Sequence, residues 1–154
     1  MDRTNCFATD KVAGHWQYQS FINLKPWTPK GDLQIAVGKD GKIEGELKFL
    51  FGLVTLEITG SIIPVERDPN QAAGFGVTGT EKSDTSAYQL LWGLRRFFLG
   101  KEGPAIYDVE GRFEKGNPNK MVGSVTARKN DAGIPPRPNG TTGNFVMIRT
   151  SGPC

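Results

Sequence analysis

Asp32-Leu33-Gln34-Ile35-Ala36-Val37-Gly38-Lys39-Asp40-Gly41-Lys42-Ile43-Glu44-Gly45-Glu46-Leu47-Lys48-Phe49-Leu50-Phe51 reads as two strands joined by a tight turn. Leu33, Ile35 and Val37 share one face of the first strand. Ile43, Gly45, Leu47, Phe49 and Phe51 share one face of the second, and Glu44, Glu46 and Lys48 take the other. Asp40-Gly41 supplies two positions that tolerate φ > 0, the strongest short-range signal for a hairpin. A period of two, with one apolar and one polar face, describes a sheet buried on one side and wet on the other.

The same alternation extends in both directions. From His15 to Leu24, Trp16, Tyr18, Ser20, Ile22 and Leu24 oppose His15, Gln17, Gln19, Phe21 and Asn23. Pro26 to Gly31 reads as a loop, because proline removes a ladder donor. After a turn at Gly52, Leu53 to Ile63 sets Val54, Leu56, Ile58, Gly60 and Ile62 against Thr55, Glu57 and Thr59. Pro64 to Ala73 is expected to be a polar loop, and Phe75, Val77 and Gly79 mark a short fifth strand. Ala105 to Glu114 places Tyr107, Val109, Gly111 and Phe113 opposite Asp108, Glu110 and Arg112. Gly116-Asn117-Pro118-Asn119 is a turn, Met121 to Lys129 a seventh strand and Asn144 to Thr150 the last. Between those two, Asn130 to Thr142 is a loop stiffened by Ile134-Pro135-Pro136-Arg137-Pro138, which favours polyproline geometry.

One segment departs from this rhythm. Leu90, Leu91, Leu94, Phe97 and Phe98 fall at helical spacing, with Ser83 to Ser86 as N-cap candidates and Gly100 as a stop. The reading is a helix over Thr85 to Leu99, with a long strand through Tyr88, Leu90, Trp92 and Leu94 as the alternative. The helix would cap a barrel end or pack on its wall. Arg95 and Arg96 beside Trp92, Phe97 and Phe98 would also suit an anionic membrane surface or an interaction module.

Eight short strands, each with one face to bury, fit two stacked sheets or a closed barrel. Closure removes unpaired edges, and short connections favour up-and-down order. The expected fold is all-β: an eight-stranded antiparallel up-and-down barrel, with one short helix between strands 5 and 6, in a single domain over 1–154. A chain of 154 residues suits one domain. Its net charge of +3 comes from scattered cations, which speaks against nucleic acid as a partner. No stretch approaches the roughly 20 apolar residues of a transmembrane segment. Met1 to Ala13 lacks the apolar core of a secretory signal, so the cytoplasm is the expected compartment. Cys6 and Cys154 read either as two free thiols in loose ends or as a disulfide, since an even-stranded barrel brings its first and last strands together. Asn139-Gly140-Thr141 matches a glycosylation sequon, of consequence only in a secreted eukaryotic protein.

Gly14-His15-Trp16 on the first strand, with Arg149 on the last, resembles the lipocalin and avidin group of barrels, the calycins. The resemblance spans residues 14 to 150 and rests on these two short motifs and the strand pattern. It implies that Arg149 packs across Trp16 as a cation–π pair with a structural role. It also implies departures. Tyr18, Ser20 and Ile22 stand where avidin-type barrels grip a ureido group with Asn and Ser, which argues against biotin. The helix candidate lies between the fifth and sixth strands, whereas lipocalins place theirs after the eighth.

With the apolar faces inward, the interior comprises Trp16, Tyr18, Ser20, Leu33, Ile35, Leu47, Phe49, Leu56, Ile58, Phe75, Val77, Tyr107, Val109 and Met121. Glu44, Glu46, Glu57, Asp108 and Glu110 fall outside, and no Asp, Glu or Lys is expected inside. A one-residue slip on the Ala105–Glu114 strand would turn Asp108, Glu110 and Arg112 inward instead. His15, the single histidine, points opposite to Trp16. One histidine and two distant cysteines make neither a zinc site nor a catalytic triad, and there is no phosphate-binding glycine motif. No metal or cofactor is called for.

The remaining picture is an apolar pocket with Tyr18, Ser20 and Tyr107 as polar handles. The expected ligand-binding set is Trp16, Tyr18, Ser20, Ile35, Leu47, Phe49, Leu56, Ile58, Phe75, Tyr107 and Met121, for a small hydrophobic or aromatic molecule. The competing view is a filled barrel, favoured by Trp16, Phe49, Phe51, Phe75 and Phe113. Gly45, Gly60, Gly79, Gly111 and Gly123 oppose it, by leaving space or by allowing sharp curvature. The alternative function is a cofactor-free cyclase or isomerase acting by shape, with Tyr18 or Tyr107 as catalytic donor.

Overall fold

A computed structural model describes residues 6–82, 89–90, 93–94, 103–133, 136–151 and 154. Among these described residues nine strands form one antiparallel sheet: β1 Gly14–Ile22, β2 Lys25–Pro26, β3 Gly31–Val37, β4 Lys42–Phe49, β5 Val54–Val65, β6 Asp68–Glu81, β7 Ile106–Glu114, β8 Asn117–Lys129 and β9 Thr142–Ser151. From β3 onward each strand pairs with the next. β1 pairs with both β3 and β9, so eight long strands close on themselves. The two-residue β2 only folds back on the end of β1. The order is up-and-down, as the short connections imply.

Register bears out the alternation. Leu33 lies opposite Leu47, Ile35 opposite Gly45 and Val37 opposite Ile43. Asp108, Glu110 and Arg112 stay outside, where Asp108 pairs with Arg128 and Thr78. His15 is exposed. Because consecutive strands run antiparallel, the connections sort to two ends. The turns at 38–41, 66–67 and 115–116 lie at one end. The segments 23–30 and 50–53 lie at the other, as do the described residues 82, 103–105, 130–133 and 136–141.

The tight-turn end is closed. A 3-10 turn, Thr9–Val12, tucks the fully buried Val12 beneath the barrel. Trp16 Nε1 donates to the Val12 carbonyl at 2.9 Å. Arg149 lies opposite Trp16 in the ladder, its guanidinium 4.3 Å from the ring centroid. It also donates to the carbonyls of Ala13 and Lys11 and to Asn119 Oδ1. Gly14 is needed here: its φ is +128°, and a Cβ would stand 3.3 Å from Arg149 Nη1. Cys6 and Cys154 are bridged at this end, with Cα atoms 5.8 Å apart. The two free thiols are therefore not what the fold contains.

Several expectations need correction. The Pro64–Ala73 loop is a hairpin whose strands run to a two-residue turn at 66–67. Its tip stands beyond the barrel and has no core to pattern it, and Pro64 sits where the register shifts. β8 likewise begins at Asn117, not Met121, and β1 ends at Ile22, leaving Leu24 in a turn. Phe51 does not point inward; it is fully exposed in a 3-10 turn, Leu50–Gly52, with φ of 59°. Gln89, Leu90, Gly93 and Leu94 are helical, and the rest of the expected Thr85–Leu99 helix, with Arg95 to Phe98, lies outside the described residues. Among the described residues no helix is long and apolar enough to cross a membrane.

The inward glycines serve curvature more than space. A Cβ on Gly60 would lie 2.1 Å from the carbonyl oxygen of Gly76, and one on Gly123 1.9 Å from that of Glu110. Strands coil so tightly there that backbone presses on backbone, the usual reason for glycine in a barrel strand.

Candidate functional site: the open end of the barrel

The interior is filled in one half and hollow in the other. Near the closed end, Trp16, Ile35, Phe75 and Met121 are buried core. These four of the expected ligand-binding residues do not line the hollow. Phe75 and Phe145 fill the space beside Gly111, where a Cβ would meet Phe145 Cζ at 2.6 Å.

Towards the open end a cavity of about 210 Å³ remains. Tyr18, Ser20, Leu47, Phe49, Leu56, Ile58 and Tyr107, the other seven of the set, all line it. Larger hollows of about 330 and 620 Å³ lie on the outer faces of the strands, over residues such as Thr78, Asp108, Ser124 and Asn144. The barrel cavity differs from them in being walled mainly by apolar side chains.

Tyr18 stacks on Phe145, ring centroids 5.4 Å apart, and meets Phe49 edge-on at 6.1 Å. Its hydroxyl lies beside that of Ser20, and burial pushes the phenol well above its ordinary pKa, Ser20 offsetting part of the rise. Ser20 donates to Thr28 Oγ1 at 3.0 Å, and Thr28 Oγ1 also accepts the Ser20 N–H at 3.0 Å. The Trp27 N–H returns to the Ser20 carbonyl at 2.8 Å. Segment 23–30 is thus folded back over the end of β1, bringing Trp27, Thr28 and Pro29 to the rim.

The other side of the mouth is built on a carboxylate. Asp131, only 1% exposed, accepts the Tyr107 hydroxyl at 2.6 Å and Trp27 Nε1 at 3.1 Å. It also accepts the backbone N–H groups of Gly133 and Arg137. The Tyr107 oxygen in turn accepts the Ala132 N–H at 2.8 Å. Burial raises the Tyr107 pKa most, the charge of Asp131 adds to this, and Glu81 contributes further. Trp27 packs edge-on against Tyr107, centroids 6.1 Å apart. Asp131 therefore straps segment 23–30 to segment 130–141 across the mouth.

This corrects the expectation of an interior without carboxylates. Glu81, 3% exposed, continues the inward parity of Phe75, Val77 and Gly79 on a strand longer than the sequence suggested, and accepts the Ala105 N–H at 3.2 Å. Asp131 lies in a loop, where no period marks a side chain as inward. Its one local signal is the Asp-x-Gly spacing of Asp131 and Gly133, which suits a side chain capping the N–H two residues on. Trp27, Thr28, Pro29, Leu50, Val54, Gly79, Val109, Val125, Ala132 and Gly133 complete the lining.

Chemically, the cavity offers apolar contact and a few hydroxyls. Both phenols stay protonated through neutral pH and act as hydrogen-bonding groups. No protein-family model, curated protein or solved structure matches the chain, so the likeness to calycin barrels rests on the closed eight-stranded sheet and on Arg149 lying across Trp16.

Proposed function

We propose that the barrel binds one small apolar or aromatic molecule, and that the chain is a divergent member of the calycin group. The observation that carries the reading is the half-filled interior: a plugged end, and above it an apolar cavity with hydroxyls on one wall. Pockets of this character hold ligands by burial and orient them with few polar groups. At about 210 Å³, the space exceeds the roughly 150 Å³ that admits benzene in a dry apolar cavity. It falls below the roughly 300 Å³ at which drug-sized pockets begin. A molecule of one or two rings fits, with Tyr18 and the Ser20–Thr28 pair as its polar contacts.

A cyclase or isomerase using the same cavity is less well supported. The Tyr107 hydroxyl is held by Asp131 and Ala132. Burial takes both phenols away from the near-neutral pKa that favours general acid–base catalysis. The disulfide supports an oxidising compartment over the cytoplasm expected from the sequence.

The test is saturable binding of an environment-sensitive naphthalene dye, competed by small aromatic compounds. Gly79→Leu is the control, because Gly79 lines the cavity and its nearest neighbour is the flexible end of Ile58, 3.1 Å from a Cβ. The variant should fold and bind dye at least tenfold more weakly. Absence of saturable binding, or identical binding by the variant, would refute the proposal.

A further inference from the structure

We infer that the open end of the barrel docks on an anionic phospholipid bilayer, inserting the tips of the 23–30 and 50–53 segments. Leu24 is 96% exposed and Phe51 fully so, while Leu50 and Leu53 are about half exposed. Both segments lie at the mouth, Trp27 and Leu50 lining the same cavity. A soluble surface scatters such side chains singly; gathered at one end they mark a contact site.

The backbone makes the choice of residues more telling. Leu24, Leu50 and Phe51 have φ of 66°, 53° and 59°. That left-handed region is disfavoured for residues with a Cβ and is usually filled by Gly or Asn. At Leu24 and Phe51 the apolar side chains therefore satisfy neither the turn nor the core. Their placement suits insertion at the depth of lipid headgroups, where Leu and Phe are favoured.

Charge selects the occupant. Lys25, Lys30 and Arg137 are exposed in the mouth segments, and Lys129 ends the adjacent strand. Among the described residues of those segments the one carboxylate is Asp131, which is buried. The turns of the opposite end mix the two signs, Asp40 and Glu66 standing beside Lys39, Arg67 and Lys115, and the exposed carboxylate nearest the 23–30 tip is Asp32 at the start of β3. A cationic rim around apolar tips complements an anionic bilayer, whereas a second copy would bring cations against cations. The inference goes beyond the ligand reading, since docking does not require an occupied cavity.

Co-sedimentation with phosphatidylcholine vesicles, with and without phosphatidylserine, tests it. The full chain should pellet with the mixed vesicles, and raised salt should release it. Leu24→Ser/Phe51→Ser should weaken binding at least tenfold, and Lys25→Glu/Lys30→Glu should abolish the preference for phosphatidylserine. None of these four residues lines the cavity. Dye binding measured in the same variants therefore separates a failure of docking from a failure of the ligand reading. Absence of pelleting with any vesicle, or equal pelleting by Leu24→Ser/Phe51→Ser, overturns the inference. So does a wild-type dimer in sedimentation equilibrium that Phe51→Ser dissociates, which would assign the apolar tips to a second copy.

Discussion

Tyr107 donates its hydroxyl hydrogen to Asp131 across 2.6 Å and accepts the Ala132 N–H on the same oxygen at 2.8 Å. One phenol on β7 thereby fixes residues 131–133, which carry no regular structure of their own. Tyr107→Phe removes both bonds and leaves a buried carboxylate short of a donor. Such a loss costs about 1–3 kcal/mol. Urea unfolding should register it, and amide exchange at Ala132, Gly133 and Arg137 should accelerate while the β4 and β5 amides stay protected.

The two buried phenols also set an alkaline limit. Their folded pKa values lie above the unfolded value of 10.0. Stability from them is therefore complete below pH 10 and falls as pH rises beyond it. In a spectrophotometric titration, Tyr18 and Tyr107 should ionise together with loss of the fold, not at the pH of an exposed tyrosine. Tyr18→Phe and Tyr107→Phe assign each contribution.

Acid acts through the outer surface. Glu46 is held below its ordinary pKa by Lys82 first and Lys48 second, and Asp108 by Arg128. A lowered folded pKa gives stability that is present above the unfolded value and lost as pH falls through the folded one. These pairs are largely solvated, so the loss should be small and should vanish at high salt. Lys82→Met should flatten the dependence of urea midpoint on pH below the ordinary carboxylate range.

Backbone contact between strands gives a sharp pair of substitutions. Gly123→Ala places a methyl group 1.9 Å from the Glu110 oxygen, and the barrel must open to admit it. Gly76→Ala meets nothing within 4 Å. The first should cost more than about 3 kcal/mol or prevent folding. The second should leave the thermal midpoint within a degree or two.

Breaking the disulfide should cost about 2–4 kcal/mol, because it constrains a long loop in the unfolded chain. Cys6→Ser/Cys154→Ser should lower the urea midpoint yet leave dye affinity unchanged, the bond lying at the end away from the cavity.

Strand parity was legible because each long strand has one wet face and one dry face. That single contrast placed Tyr18, Leu47, Leu56 and Ile58 in the barrel, and the resemblance to calycins paired Arg149 with Trp16. The contrast disappears where a segment leaves the core. Pro64 to Ala73 looked like a loop because most of it meets water and its one core residue is the small Ala72, and Phe51 looked like a strand residue because its neighbours are apolar. Asp131 and Glu81 were missed for a related reason. A buried carboxylate is set by the donors that surround it, and those donors arrive from segments distant in sequence, such as Tyr107 and Trp27 for Asp131.

The bridge between Cys6 and Cys154 turns the intervening chain into a covalent ring. A single cut in that ring, at the exposed Phe51 for instance, releases nothing. The two pieces stay tethered at one end of the barrel and paired through the sheet along their length. Nicked protein should migrate as one species until it is reduced, and as two thereafter. The same closure means that new ends opened in a mouth loop need no added linker to keep the old ones together.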